Sequence, residues 1–175
     1  LGKIQRLNKR NKMIERTLVL IKPDGVERCL IGRIISRFED AGFKIVGMKM
    51  KIIGKDFAKK HYTEDIEKRR GKIVRDKLID FITAGPVLAI CLEGVNAIEN
   101  VRKLVGDTEP KKSIPGTIRG DFAHLSYDYA DKKNVAVKNL VHASSDKNDA
   151  EHEIRLWFSN EELYSYKTVH DMHIL

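Results

Sequence analysis

The chain has 175 residues, 42% of them hydrophobic and 33% charged, enough to bury one ordinary core and too few for two. Its longest apolar runs, such as Pro86–Leu92 and Thr17–Ile21, fall far short of the ~20 residues a membrane-spanning helix needs, and no apolar stretch follows the basic N-terminus as in a signal peptide. Cys29 and Cys91 lie outside any C-x-x-C or Cys/His cluster, so neither a disulfide framework nor a zinc site is indicated, and both are expected in the core. A single cytoplasmic domain is the expectation.

The formal net charge of +8 invites a nucleic-acid reading, which its distribution weakens. Residues 1–12 hold Lys3, Arg6, Lys9, Arg10 and Lys12 without an acid; outside them 28 basic residues face 25 acidic ones, a net +3. Residues 1–12 are therefore expected to form a disordered tail or a non-native extension ahead of a domain spanning 13–175, with Met13 as a candidate start.

Arg16–Lys22 is short, apolar and β-branched and is closed by Pro23-Asp24-Gly25, which predicts a buried strand. From Glu27, Leu30, Ile31, Ile34, Ile35 and Phe38 recur at helical spacing and end at Ala41-Gly42, with glycine as the C-terminal cap. Phe43–Ile53 alternates as a strand with one buried face. Residues 55–83 predict two short helices around Arg69-Arg70-Gly71, forming a surface hairpin. Val87–Leu92 reads as a third strand and Val95–Val105 as a helix ending at Gly106. An irregular stretch rich in Pro and Gly follows, then a fourth strand near Val135–Val141 and a final helix from Ser145 or Asp146. That helix carries Ala150, Ile154, Trp157 and Phe158 on one face and Glu151 with Arg155 at i, i+4. This order predicts an α+β, ferredoxin-like split β-α-β domain: a four-stranded antiparallel sheet with surrounding helices, packed on one of its faces.

No G-x-x-x-x-G-K-[ST] loop is present: Gly54-Lys55 and Gly71-Lys72 are followed by Asp56 and Ile73. A chain handling phosphates would then have to do so with side chains. The ordered motifs Ile21-Lys-Pro-Asp-Gly-Val26, Gly85-Pro86-Val87, Pro115-Gly-Thr-Ile-Arg-Gly-Asp121, Asn139-Leu-Val-His-Ala-Ser144 and Glu153 closely resemble the nucleoside diphosphate kinase family, over about Met13–Lys167. The resemblance implies a ping-pong phosphotransferase, acting on nucleoside triphosphates and diphosphates through a phosphohistidine, that assembles as a hexamer or tetramer. His142 would be the nucleophile, since a neutral imidazole can attack phosphorus near pH 7; taken alone, a histidine here is more often a packing residue. Glu153, on the inner side of the last helix, would hold the far ring nitrogen and fix its tautomer. By the same resemblance Lys22 contacts the phosphate and ribose end, Arg102, Thr108 and Arg119 bind the α- and β-phosphates, Tyr62 and Asn139 hydrogen-bond around the histidine and the sugar, and Ser144 supports Glu153. Guanidinium forks suit phosphate oxygens without a phosphate loop. Mg²⁺ is expected as a companion of the nucleotide phosphates, with no dedicated protein site. The other histidines, His61, His124, His152, His170 and His173, are expected to be surface or packing residues.

Three departures stand out. Ser144-Ser145-Asp146 replaces the family's Ser-Asp-Ser, which is expected to shift the helix cap by one residue. The segment between Tyr62 and Leu78 is about four residues longer than the common pattern and lacks its phenylalanine pair, so Val74 falls nearest the base-stacking aromatic. An insertion of roughly ten residues, Ala123–Lys133, is expected to cover the site or an oligomer contact. Stacking rather than edge contacts to the base implies broad base specificity. A noncatalytic nucleic-acid module of the same architecture leaves Asn139, His142 and Glu153 together unexplained, and its strands would need aromatic platforms where these offer Val, Leu and Ile. A degenerate family member fits poorly with Lys22, Arg102, Arg119 and His142 all present.

Overall fold

The computed structural model describes residues 13–173; the expected tail lies outside them. From the N-terminus, β1 (Ile14–Ile21) leads into α1 (Pro23–Glu27), α2 (Ile31–Asp40) and β2 (Lys44–Lys51). Three helices follow, α3 (Lys55–His61), α4 (Glu64–Arg70) and α5 (Lys72–Ile82), then β3 (Val87–Val95) and α6 (Ala97–Val105). A 3₁₀ turn at Pro110–Lys112, α7 (Ile118–Phe122) and α8 (Tyr127–Lys132) precede β4 (Val141–Ala143) and α9 (Lys147–Trp157); a 3₁₀ turn at Asn160–Glu162 and α10 (Val169–His173) close the described chain.

The sheet order is β2-β3-β1-β4, every neighbouring pair antiparallel, as the ferredoxin-like reading expects. Strand β1 lies inside the sheet and reads as a continuous apolar run because both of its faces are covered. Leu18 and Leu20 pack with Ala58, Tyr62, Ile79, Ile82 and Trp157 from the side of α3, α5 and α9. Val19 and Ile21 pack with Ile34, Phe38, Val101 and Ile118 from the side of α2, α6 and α7. Fully burying each such Leu or Ile contributes about 2 kcal/mol. The expectation of helices on one face is thus corrected: the charge-dense 55–82 region, read as a surface hairpin, supplies part of the second cover.

Four local expectations also change. The helix read from Glu27 begins at Ile31, because Pro23 at the start of α1 initiates a separate turn of helix and Cys29 (φ 56°) reverses the chain between the two. Cys29 is exposed in that turn, not a core residue, whereas Cys91 is buried. In β2 the pairing skips from Ile45↔Leu92 to Gly47↔Cys91, and this bulge at Val46 breaks the alternation and leaves Met48, Met50 and Ile52 exposed. Three helices replace the two expected over 55–83, with the break at Gly71 (φ 87°) where it was read. The predicted caps at Gly42 (φ 83°) and Gly106 (φ 88°) are in place.

The largest correction concerns the fourth strand. It spans three residues, not seven, and starts where the expected strand ended. Residues 135–140 are not extended sheet: Leu140, fully buried, has φ 68°, which ends any strand at that point.

Candidate active site

His142 is the middle residue of β4 and pairs with Leu20 of β1. Directly paired residues share a face of the sheet, so its imidazole lies on the side of Leu18 and Leu20, towards α3 and α9. Asp146 caps α9 by accepting the Asp149 backbone N–H at 2.9 Å; Ser144 is left free for another task. The helix then runs so that Glu153, two turns in, returns over the sheet.

Three hydrogen bonds fix the histidine. The Glu153 Oε1 to His142 Nε2 distance is 2.8 Å, the Ser144 hydroxyl donates to Glu153 Oε2 at 2.6 Å, and that hydroxyl accepts the Leu18 backbone N–H at 3.2 Å. Burial works to raise the Glu153 carboxyl, but the charge and hydrogen bond of His142, with the Ser144 hydroxyl, outweigh it and hold the group at about 2. An ionised carboxylate accepts, so in the neutral ring Nε2 carries the proton and Nδ1 keeps its lone pair. His142 is about a quarter exposed, its side chain at 23%, and lines a cleft of about 760 Å³, within the range of small-ligand sites.

The same cleft gathers Lys22, Tyr62, Val74, Arg102, Thr108, Arg119, Asn139 and Glu153. Ser144 stands behind it, fully buried. Lys22, just after β1, donates to Asn139 Oδ1 and lies 5.0 Å from the centre of the Phe81 ring. Burial lowers its ammonium to about 7, opposed by the charge of Asp24 and assisted by that of Arg119. The amide of Asn139 also donates to the Thr108 carbonyl at 2.7 Å, tying the loop after α6 to the loop before β4. Burial raises the Tyr62 phenol, which therefore stays neutral. Arg102 and Thr108 are exposed on the cleft wall.

Arg119 is engaged differently from a free phosphate clamp. Its Nε donates to the Asn139 carbonyl at 3.1 Å, and its terminal nitrogens to the carbonyls of Gly106 at 2.9 Å and Val141 at 2.7 Å. These bonds hold both ends of the turn that introduces β4. Burial lowers the guanidinium to about 10, where it is still charged at neutral pH.

His61 is buried within the site, in keeping with the packing role expected of it. His61, taken as packing or surface, stacks edge-on against His142 with ring centres 4.6 Å apart. Its Nδ1 accepts the Trp157 indole N–H at 3.4 Å and stands 3.7 Å from Glu153 Oε1. Burial, then the charge of His142, lowers it to about 3, so it is a neutral wall. The available signal was its place beside Tyr62 and on the apolar stripe of α3 with Phe57. His61, His142 and Glu153 also form a group that could hold a metal ion; two imidazoles and one carboxylate suit a softer ion than Mg²⁺, and the His61 Nδ1 lone pair already accepts the Trp157 indole N–H while Glu153 Oε1 holds His142 Nε2.

The far end of the cleft is built from α4, α5 and the insertion. Ile66, Arg69, Arg70, Val74 and Leu78 line it together with Tyr127 and Asp131 of α8 and with Val135–Val137. Of the two roles expected for the insertion, α8 serves the cleft. Ser126 caps it, and Glu109 accepts the Tyr127 N–H at 2.9 Å. The apolar residues read as a fourth strand are thus cleft lining.

Known proteins with this sequence pattern agree. A model of the nucleoside diphosphate kinase family matches residues 15–163. A nucleoside diphosphate kinase from Borreliella burgdorferi is 48% identical over 156 residues, covering 89% of this chain and 93% of that protein; one from Pyrococcus furiosus is 52% identical over 153 residues, covering 87% and 88%. The Borrelia burgdorferi enzyme solved with bound vanadate and ADP, as a mimic of the transition state, superposes with a TM-score of 0.91 at 46% identity, over 93% of this chain and 97% of that one. With its family model, its relatives and its fold in accord, the chain belongs to the nucleoside diphosphate kinase family.

Proposed function

We propose that the protein moves the γ-phosphate of a nucleoside triphosphate onto a nucleoside diphosphate by a ping-pong route through a phosphohistidine at His142. The observation that carries the reading is the tautomer: Glu153 holds Nε2–H at 2.8 Å and leaves the Nδ1 lone pair of a cleft-lining ring as the nucleophile. In the first half-reaction the lone pair attacks the γ-phosphorus, the N–P bond forms, and the bond to the bridging oxygen breaks to release the diphosphate. As the ring becomes positive, the Glu153 carboxylate already stands beside it. In the second, a terminal oxygen of the incoming diphosphate attacks the same phosphorus and the N–P bond breaks.

Lys22, Arg102, Arg119 and Thr108 are placed to meet the phosphates, with Arg119 also bracing β4. Tyr62 and Asn139 serve the histidine and the sugar, Ser144 supports Glu153, and Val74 forms part of the base slot. Mg²⁺ would arrive on the nucleotide, neutralising phosphate charge; the cations on the phosphate wall fit that arrangement better than a resident ion would. The aliphatic side chains Ile66, Val74 and Leu78 in the lining of the base end favour broad base specificity. The exposed Met48 and Met50 on the edge strand β2, Ile52 just after it, and Ile114 at 70% exposure support a homo-oligomer, a hexamer or tetramer, whose size is read by light scattering. Among the described residues no helix is long and apolar enough to cross a membrane, and we place the enzyme in the cytoplasm.

The test is incubation of the protein and of His142→Ala with γ-labelled ATP and Mg²⁺. Acid-labile, base-stable label on the parent alone, chased by GDP into GTP, is the expected result. Absence of label on the parent would overturn the proposal.

A further inference from the structure

Asp24 is a carboxylate in the first turn of α1 with 3% of its surface exposed. Its Oδ2 accepts the Leu140 backbone N–H at 3.0 Å, while Oδ1 is buried without a hydrogen-bond partner. Two residues earlier the Lys22 backbone N–H donates to the Leu140 carbonyl at 2.8 Å. The start of α1 therefore grips both backbone polar groups of Leu140, a fully buried residue held at φ 68°. That conformation is strained for a bulky residue, so something must hold it. Gly25 permits the close approach: a Cβ there would lie 2.7 Å from Ile21 Cγ2 and 3.2 Å from the Leu140 oxygen. Leu140 sits between Asn139, which orders Lys22, and Val141-His142, which carry the nucleophile.

We propose that Asp24 is a positioning residue for phosphoryl transfer: its carboxylate holds the Leu140 turn, and with it Asn139 and His142, in place, and it supplies the buried negative charge that balances the Lys22 ammonium. The inference rests on the roles given above to Lys22 and His142.

The electrostatics agree with the geometry. Burial and the Arg119 charge both act against the Lys22 ammonium, and Asp24 is the group that acts for it. Arg119 approaches from α7, and Tyr62, buried and neutral, from the end of α3. Arg102 and Asp107 from the end of α6, with His142 and Glu153, line the remainder of the cleft. Among the described residues no carboxylate, Asp24 included, is in ion-pair contact with Lys22, so the charge of Asp24 reaches the ammonium across a longer gap. Asp24 thus acts through space on the ammonium and through the backbone on the histidine.

Two variants separate these actions. Asp24→Asn keeps the shape and an acceptor for Leu140 N–H but removes the charge; Asp24→Ala removes both. Steady-state kinetics from pH 6 to 9, ADP affinity by calorimetry and single-turnover phosphorylation are compared for both, for Lys22→Gln and for Asp24→Asn/Lys22→Gln. In Asp24→Asn the nucleotide KM should rise about tenfold near pH 8, the size of one charge-assisted contact, with the rise beginning at lower pH than in the parent and kcat within about threefold. Asp24→Ala should in addition lose about tenfold or more in single-turnover rate as the turn relaxes. In the Lys22→Gln background, Asp24→Asn should change KM no further. Parent-like KM and pH profile in Asp24→Asn, with Lys22→Gln impaired, would overturn the Asp24 role and leave the Lys22 reading intact; parent-like KM in Lys22→Gln would overturn that reading instead. Should neither Asp24 variant fold, carboxyl-carbon NMR of the parent decides the matter: an ionised Asp24 at pH 7 is required, and a protonated one overturns the proposal.

Discussion

The two ends of the cleft are built to different standards. At the histidine end, Leu18, Ser144, Glu153 and His142 form one chain of hydrogen bonds, and Lys22, Asn139 and Thr108 form another; Arg119 spends three nitrogens on backbone carbonyls. At the base end, the contact spanning from α4 to α8 is Arg70 to the Tyr127 hydroxyl at 3.5 Å, between exposed side chains. The phosphates are common to every substrate and the base is not. On the proposed reading, rigidity is concentrated at the end that meets the phosphates, and the looser wall lies where the bases differ.

Glu153→Gln should break the histidine end most severely. A neutral amide can hold either ring nitrogen, so kcat should fall about 100-fold or more with KM little changed, as read by pre-steady-state phosphorylation. The same carboxyl gives a pH signature. Its folded value of about 2 lies below the ordinary ~4.3 of a glutamate, so its contribution to stability is complete above about pH 4.3 and is lost as pH falls towards 2. Thermal unfolding from pH 6 to 2 should show that loss, and Glu153→Gln should flatten it.

His61→Ala sharpens the contrast by removing the buried ring that stacks edge-on against His142. We expect about a tenfold loss in kcat, KM within a factor of about two, and about 2–4 kcal/mol of lost stability from the cavity; an unchanged kcat would make His61 a packing residue after all. At the base end, Val74→Phe should lower KM only a few-fold, by about 0.5–1 kcal/mol of added stacking, and similarly for adenine, guanine and pyrimidine nucleotides. Tyr127→Phe should be smallest, under about twofold for any base, since an exposed contact of 3.5 Å is worth little. A large or base-selective effect there would mean that α8 reads the base.

Much of this was legible before any coordinates. Strands β1 and β3 are apolar runs bounded by turn residues, and α9 has an Asp cap and an apolar stripe, so local pattern and tertiary packing agree. Every site residue expected from the family resemblance except Ser144, which stands behind the wall, lines the cleft, but His61 and the far wall of α4 and α8 were not among them. What was lost is informative. Val135 and Val137 look like strand residues because they are apolar, yet they line a cleft, and the left-handed Leu140 is invisible to periodicity. The bulge at Val46 cannot be read from alternation because it shifts the phase midway. The contacts of His61 and Asp24 are not legible in the sequence because each has a partner distant along the chain, Leu140 for Asp24 and His142 and Trp157 for His61, and no spacing rule reports such a pair.

The brevity of β4 has a kinetic consequence. Its three residues join β1 across a sequence separation of more than a hundred, as in the Leu18 to Ser144 contact with a separation of 126, so a long loop must close for little local reward. The helices and the β1–β3 pair can form without it. During refolding, far-ultraviolet ellipticity should therefore recover before phosphotransfer does, and a chain still emerging during synthesis would carry most of its fold while remaining inert. Competence is the last thing this molecule acquires.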